Sequence, residues 1–344
     1  MLNVSKIIAS CKKQISKKQE VKTLFKELVD IKEENLLLID AQILNILLFD
    51  HSSKKNIIWA TDNYKQYGNR FNFNDEITIE KITGNYKEII KPRSKKTKEE
   101  KNKRVKENAE VFTPSWICNN QNNLVDNTWF ERENVFNKSN KDSWETFENK
   151  ITFPENKSWQ DYINSTRLEI SCGEAPYLVS RYDSVTGKTI KIKNRIGLLD
   201  RKLRIVSENV DNESAWIEWS TKAMKSVYGY DWQGDNVLIA RENLLYTFID
   251  YYKDKFNKKP QVELVKKIAE IISWNIWQMD GLKFVIPNSC KNEKKVELTL
   301  FGEIEHIEEC LGCKKNQNKN HNGIYCKVMN WKTNRSIKFI SLIK

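Results

Sequence analysis

The chain has 344 residues, of which 39% are hydrophobic and 30% charged, and its net charge is +12. That length holds two domains, or one large domain with attachments. No apolar run of about 18 residues excludes a membrane span, and the absence of an apolar segment in Met1–Lys18 argues against a secretion signal. Seven cysteines without the spacing of a disulfide framework predict a reduced, cytoplasmic protein. The positive charge suits a polyanion, although a Lys-, Asn- and Ile-rich composition carries surface lysine in any case.

Residues 1–90 predict a small mixed α/β region. Val21, Leu24, Phe25 and Leu28 have helical spacing, Leu36–Leu48 is apolar enough to be buried, and Ile57–Thr61 predicts a strand. Ile77–Ile90 alternates loosely around a turn at Gly84-Asn85. Residues 91–106 follow as a basic linker. Its nine cations are Lys91, Arg93, Lys95, Lys96, Lys98, Lys101, Lys103, Arg104 and Lys106. Two readings of this run stand side by side: a solvated linker or exposed helix, and a segment that contacts phosphates without sequence preference.

Residues 107–288 carry the signals with chemical content. Phe112-Thr113-Pro114 precedes a helix that Pro114 and Ser115 can start. Residues 127–162 predict loops with short helices. Leu168–Ile170 is a short strand, and Ser171-Cys172-Gly173-Glu174-Ala175-Pro176 is a tight turn at its end. A glycine there lets a polar ligand approach the backbone. Tyr182–Arg195 predicts a hairpin turning at Thr186-Gly187, and Ala215–Val227 a helix. Val227–Asp231 is a second strand ending in an acid, with Trp232 next. Asn236–Tyr252 and Val262–Ile272 predict helices. Asn275–Gly281 is a third strand ending in Asp280 and Gly281. Three strand ends separated by helices form a βαβ series, in which an acid after the second strand can accept ribose hydroxyls and one after the third can accept an adenine amino group. Each acid taken singly is an ordinary turn residue.

Residues 289–344 hold a Cys-x-x-Cys pair, Cys310 and Cys313, followed by His321 and Cys326, with Cys290 upstream. Tetrahedral zinc needs four nitrogen or sulfur ligands, and this spacing supplies two of them. The predicted metal set is Cys310, Cys313, Cys326 and His321, against free thiols in an irregular loop.

From Phe112-Thr113-Pro114 through Ser171–Pro176 and Tyr228–Leu244 to Asn275–Leu282, the chain resembles the adenine-N6 DNA methyltransferases of restriction–modification systems, in particular the enzymes called restriction endonuclease subunit M. The resemblance covers about residues 105 to 344 and reaches only the cofactor-binding half. It implies a Rossmann-like class I methyltransferase sheet that binds S-adenosylmethionine through Phe112, Thr113, Pro114, Ser171, Cys172, Gly173, Glu174, Ala175, Asp231, Trp232, Asp280 and Gly281. The family's catalytic Asn- or Asp-Pro-Pro-aromatic signature, which holds the flipped adenine, is absent. The implied partners are therefore DNA and a second polypeptide that supplies the signature. The alternative is a non-catalytic, DNA-binding or regulatory subunit with the same fold. Glu174 also departs from the small residue often found after Gly173, which implies carboxylate–carboxylate repulsion with the cofactor unless Glu174 faces its ammonium group.

Overall fold

The computed structural model describes residues 33–299 and 302–343; the helix expected over Val21–Asp30 lies outside them. At its centre is a parallel three-stranded sheet made of β1 (Arg167–Ile170), β2 (Val227–Asp231) and β3 (Ile276–Gln278), with β2 in the middle. The register pairs Ile170 with Tyr230 and Asp231 with Gln278, so all three strands end along one edge. Parallel neighbours need helical crossovers. α6 (Leu198–Asn209) and α7 (Glu213–Lys225) join β1 to β2, and α8 (Gly234–Phe256) and α9 (Val262–Asn275) join β2 to β3. The chain is thus a mixed α/β protein with a small parallel sheet.

The local reasons are visible in the residues. α9 buries Val265, Ile268, Ala269 and Ile272, the i, i+3, i+4, i+7 stripe of a helix packed on one side. α8 is buried from Gly234 to Tyr252, as suits a helix surrounded by other elements. Its polar residues are correspondingly bonded: Arg241 donates to the carbonyls of Ile276, Leu47, Phe49 and Ser273 at 2.6 to 3.1 Å. On α6 the buried Lys202 serves the carbonyls of Tyr162, Ile163 and Ser165 and the Ser226 hydroxyl. A buried cation without such acceptors is strongly destabilising.

The N-terminal residues share this core. α1 (Glu33–Ile39) and α2 (Ala41–Leu48) are separated by Asp40, whose side chain caps α2 by accepting from Gln42 N. Their Leu36, Leu44 and Leu47 belong to one continuous apolar cluster that extends to Ile276. The core therefore crosses the boundaries drawn at residues 90 and 107. The segment expected to be a strand at Ile57–Thr61 forms only an isolated bridge, Ile58 to Glu76, flanked by backbone bonds from Trp59 N to Asp75 O and from Ile77 N to Ile57 O at 3.1 and 2.8 Å.

The basic run is also partly interior. Lys98–Asn108 is a helix, α3, with a capping box at Thr97 and Glu100. Lys96 and Arg104 turn inward to Asp235, at 3.5 and 2.8 Å, and Arg93 lies over the Phe112 ring at 4.9 Å. α4 (Ser115–Phe130) follows, then a small hairpin of Asn137–Ser139 with Trp144–Thr146, and α5 (Trp159–Asn164). Tyr182 and Thr189 make a single bridge where the longer hairpin was expected. Near the C-terminus, hairpin β4 (Glu293–Thr299) with β5 (Gly302–Glu308) forms its own two-stranded sheet, and β6 (Lys327–Asn330) with β7 (Arg335–Lys338) another. Val328 and Phe339 pack on Tyr230 and Trp277 in a second, smaller apolar cluster.

Candidate functional site

The strand ends form the first candidate. Ser171, Gly173 and Ala175 all have positive φ, at 49°, 53° and 63°. Two of these are not glycine, and left-handed conformations cost such residues energy that the surroundings must hold in place. Cys172 N donates to Tyr230 O at 2.8 Å, and Ala175 N to Cys172 O at 2.7 Å, which fixes the turn. A Cβ on Gly173 would lie 3.4 Å from the Phe112 ring. Phe112 therefore closes over the turn. Thr113 contributes its carbonyl to the Ser184 hydroxyl at 2.9 Å, and Pro114 leads into α4.

Asp231 ties three pieces together. Its carboxylate accepts from Gly173 N at 2.9 Å, Gln233 N at 2.9 Å and Asn236 Nδ2 at 3.3 Å. Burial pushes its carboxyl up to about 6, against the lowering effect of those donors. A carboxylate has about four lone-pair positions, so one remains for a ligand. Asp280 is occupied locally: its Oδ1 accepts from Leu282 N and Lys283 N, at 2.9 and 3.1 Å. A Cβ on the adjacent Gly281 would meet the Tyr230 ring at 2.9 Å, which explains the glycine by packing.

Glu174 is turned inward. It accepts from Tyr182 Oη at 2.7 Å and from Arg93 N, and burial raises its carboxyl above the ordinary range. Its charge is thus held away from the open side of the turn. Under the same turn, Glu169 accepts from Tyr177 N and Leu178 N, at 3.4 and 3.2 Å, and burial pushes it up to about 8.

The N-terminal region walls this edge, a contact that no local pattern in residues 1–90 signals. Ile58 and Gln278 exchange two hydrogen bonds, of 2.9 and 2.8 Å, and Trp232 Nε1 donates to Ala60 O at 3.2 Å. Tyr64 Oη donates to Asp235 at 2.6 Å. A cleft of about 630 Å³ opens here between Ala60, Phe73, Lys106, Trp232, Gln233 and Asn288, within the size range of small-molecule sites. Asp231, Gly173 and Asp280 stand behind these walls and do not line the cleft themselves.

The second candidate is a metal centre. Cys290, Cys310, Cys313 and His321 bring their ligand atoms within 4.8 Å of one another. The three sulfur atoms lie 3.6, 3.7 and 3.6 Å from His321 Nδ1. With zinc bonds of about 2.3 Å to sulfur and 2.05 Å to nitrogen, a tetrahedral S–N edge is about 3.6 Å. The donor set and spacing therefore suit a metal such as zinc. Asn322 N donates to Cys310 Sγ at 3.3 Å, and a Cβ on Gly312 would strike His321 at 2.6 Å. Burial acts to raise the Cys310 thiol, but donors from Asn322, Cys313, His321 and Gly312 bring it down to about 6.

Cys326 does not belong to this cluster, and Cys290 takes the position assigned to it. Cys326 is fully buried beside Tyr230, Trp277 and Phe339, and its thiol donates to Gln278 O at 3.3 Å. It serves as a small core residue. Cys290 is 20 residues before Cys310 in the chain, and hairpin β4–β5 folds out between them, so the two meet at its base.

No family model matches the chain, and no curated protein or solved structure shows a match to it. No helix among the described residues is long and apolar enough to cross a membrane.

Proposed function

We propose that the chain is the S-adenosylmethionine-binding component of a DNA adenine-N6 methyltransferase, built on a Rossmann-like class I sheet and completed by a second polypeptide that carries the Asn- or Asp-Pro-Pro-aromatic loop. The observation that carries this reading is the parallel sheet whose three strand ends bear Gly173, Asp231 and Asp280 in chain order, with Phe112 packed over the glycine turn. In an open α/β sheet, ligands bind outside the carboxyl ends of the strands. Gly173 leaves the backbone approachable, the free lone pair of Asp231 suits a ribose hydroxyl, and Trp232 offers a ring to the neighbouring cleft. The inward Glu174 removes the repulsion that its position in sequence suggested. When bound, the cofactor supplies the methyl group; the residues here bind and orient it. Among the residues expected to contact it, Asp280 is tied to its own turn through Oδ1, which leaves Oδ2 as its acceptor. The second reading, a DNA-binding or regulatory subunit with the same fold and no catalytic role, is favoured by Gly173, Asp231 and Asp280 all standing outside the lining of the cleft.

The test is titration calorimetry with S-adenosylhomocysteine. Asp231→Ala removes the ribose acceptor and weakens binding by about 1–3 kcal/mol. No binding by the unmutated chain, alone or with its partner, would overturn the methyltransferase reading.

A further inference from the structure

A second cleft, of about 670 Å³, lies where the start of α4 meets the Asn137–Thr146 hairpin and the turn after Tyr182. Its walls include two half-buried indoles, Trp116 and Trp144, together with Lys188, Lys191 and Lys193. Trp144 is held in place by a 2.9 Å bond from its Nε1 to Asn194 O. Lys193 pairs with the exposed Glu148 at 2.9 Å, while Lys188 and Lys191 enter no ion pair among the described residues. Two acids also line the cleft. Asp183 is engaged by Ser115 N, Thr186 N and the Thr186 hydroxyl at 2.7 to 2.8 Å, and Asp142 is exposed. The Lys191–Asn194 segment separates this cleft from a neighbouring one of about 540 Å³ that includes Arg204.

We infer that this cleft binds single-stranded nucleic acid, with unpaired bases stacked on Trp116 and Trp144 and phosphates held by Lys188 and Lys191. Indole rings set among lysines form a platform that every base can use, because every base has a π-face. The bases of a duplex are already stacked on one another and cannot enter such a cleft, whereas a displaced or melted strand can. The helix of the basic run, α3, lacks interleaved aromatic residues; its buried Arg104 is committed to Asp235 and Glu110, and Lys96 just before it to Asp235. The cleft is separate from the strand-end site, so this inference goes beyond the proposed cofactor binding and does not depend on it.

Fluorescence anisotropy of the full chain with a labelled 14-nucleotide mixed-sequence DNA strand, its duplex and the RNA of the same sequence tests the inference. The single strand binds more tightly than the duplex, and the DNA and RNA arms show which backbone the lysines prefer. Trp144→Ala weakens single-strand binding about tenfold, while Trp144→Phe retains it because the ring survives. Lys188→Glu with Lys191→Glu flattens the dependence of log affinity on log salt by about 1.4, at about 0.7 per phosphate. These two lysines are exposed, so their replacement leaves the fold intact. All variants keep the S-adenosylhomocysteine affinity of the unmutated chain, whatever that affinity is, which separates this result from the fate of the cofactor reading. No oligonucleotide binding, duplex bound as tightly as single strand, or a salt slope unchanged in the double lysine variant overturns the inference.

Discussion

Glu169→Gln is predicted to reverse the sign of its effect on stability with pH. Burial raises the Glu169 carboxyl from 4.5 to about 8, so the folded chain holds its proton more tightly than the unfolded chain does. The resulting stabilisation is complete below pH 4.5 and is lost as pH rises through 8. A rise of this size corresponds to about 5 kcal/mol, at about 1.4 kcal/mol per pH unit. Glutamine keeps one acceptor for the N–H groups of Tyr177 and Leu178 but cannot supply both, a loss of about 1 kcal/mol that does not depend on pH. The variant is therefore about 1 kcal/mol less stable at pH 4 and about 4 kcal/mol more stable at pH 9. Urea denaturation of both proteins across that range measures the difference directly. Asp200, raised to about 6 by burial, shifts both proteins alike and cancels in the comparison, whereas Asp231, whose charge adds to the rise of Glu169, titrates more easily in the variant and adds to the difference above pH 6. Parallel stability curves would refute the reasoning, because they would mean that Glu169 titrates alike in the folded and unfolded chain.

Metal analysis of protein purified without added zinc is expected to find about one ion per chain, with loss of the ion in Cys290→Ser and retention in Cys326→Ser; the opposite pattern would restore Cys326 to the cluster. Gly234→Ala places a Cβ 2.0 Å from the Ile58 carbonyl oxygen, which cannot move without breaking the bonds between Ile58 and Gln278. A loss of about 2–4 kcal/mol in chemical denaturation is expected, and a loss under 0.5 kcal/mol would show that the two segments are not in register as described.

The strands β1 to β3 were legible because each is a short apolar run closed by glycine or aspartate, and α9 because its stripe repeats at helical spacing. The Gly173 turn and Asp231 were legible as a pair for the same reason: strand ends fix where they lie. What the sequence could not convey is pairing over long distances. Lys96 and Arg104 read as surface charge, since their partner Asp235 is more than a hundred residues away in the chain. The wall built by Ile58, Ala60 and Tyr64 was missed on the same ground, because Gln278, Trp232 and Asp235 complete it. Cys290 had a weaker signal available. The stretch after it, Glu293–Glu308, divides into two strand-length pieces around Gly302, and a hairpin there brings the cysteines on its two sides together.

Arg241 gathers carbonyls from Leu47 and Phe49 on one side and from Ser273 and Ile276 on the other. These contacts, with sequence separations of 194 and 192 residues toward the N-terminus, have a consequence for the order in which the chain acquires its structure. Non-local contacts are slow to form because loop closure comes before any gain from them. During synthesis, at about 5–20 residues per second, the segment around Leu47 waits roughly 10–40 s for Arg241 to be made. Over that interval its leucine- and isoleucine-rich helices lack the surface on which they finally pack. Nascent chains arrested before residue 241 should accordingly expose α1 and α2 to proteases, and chains released beyond β3 should protect them.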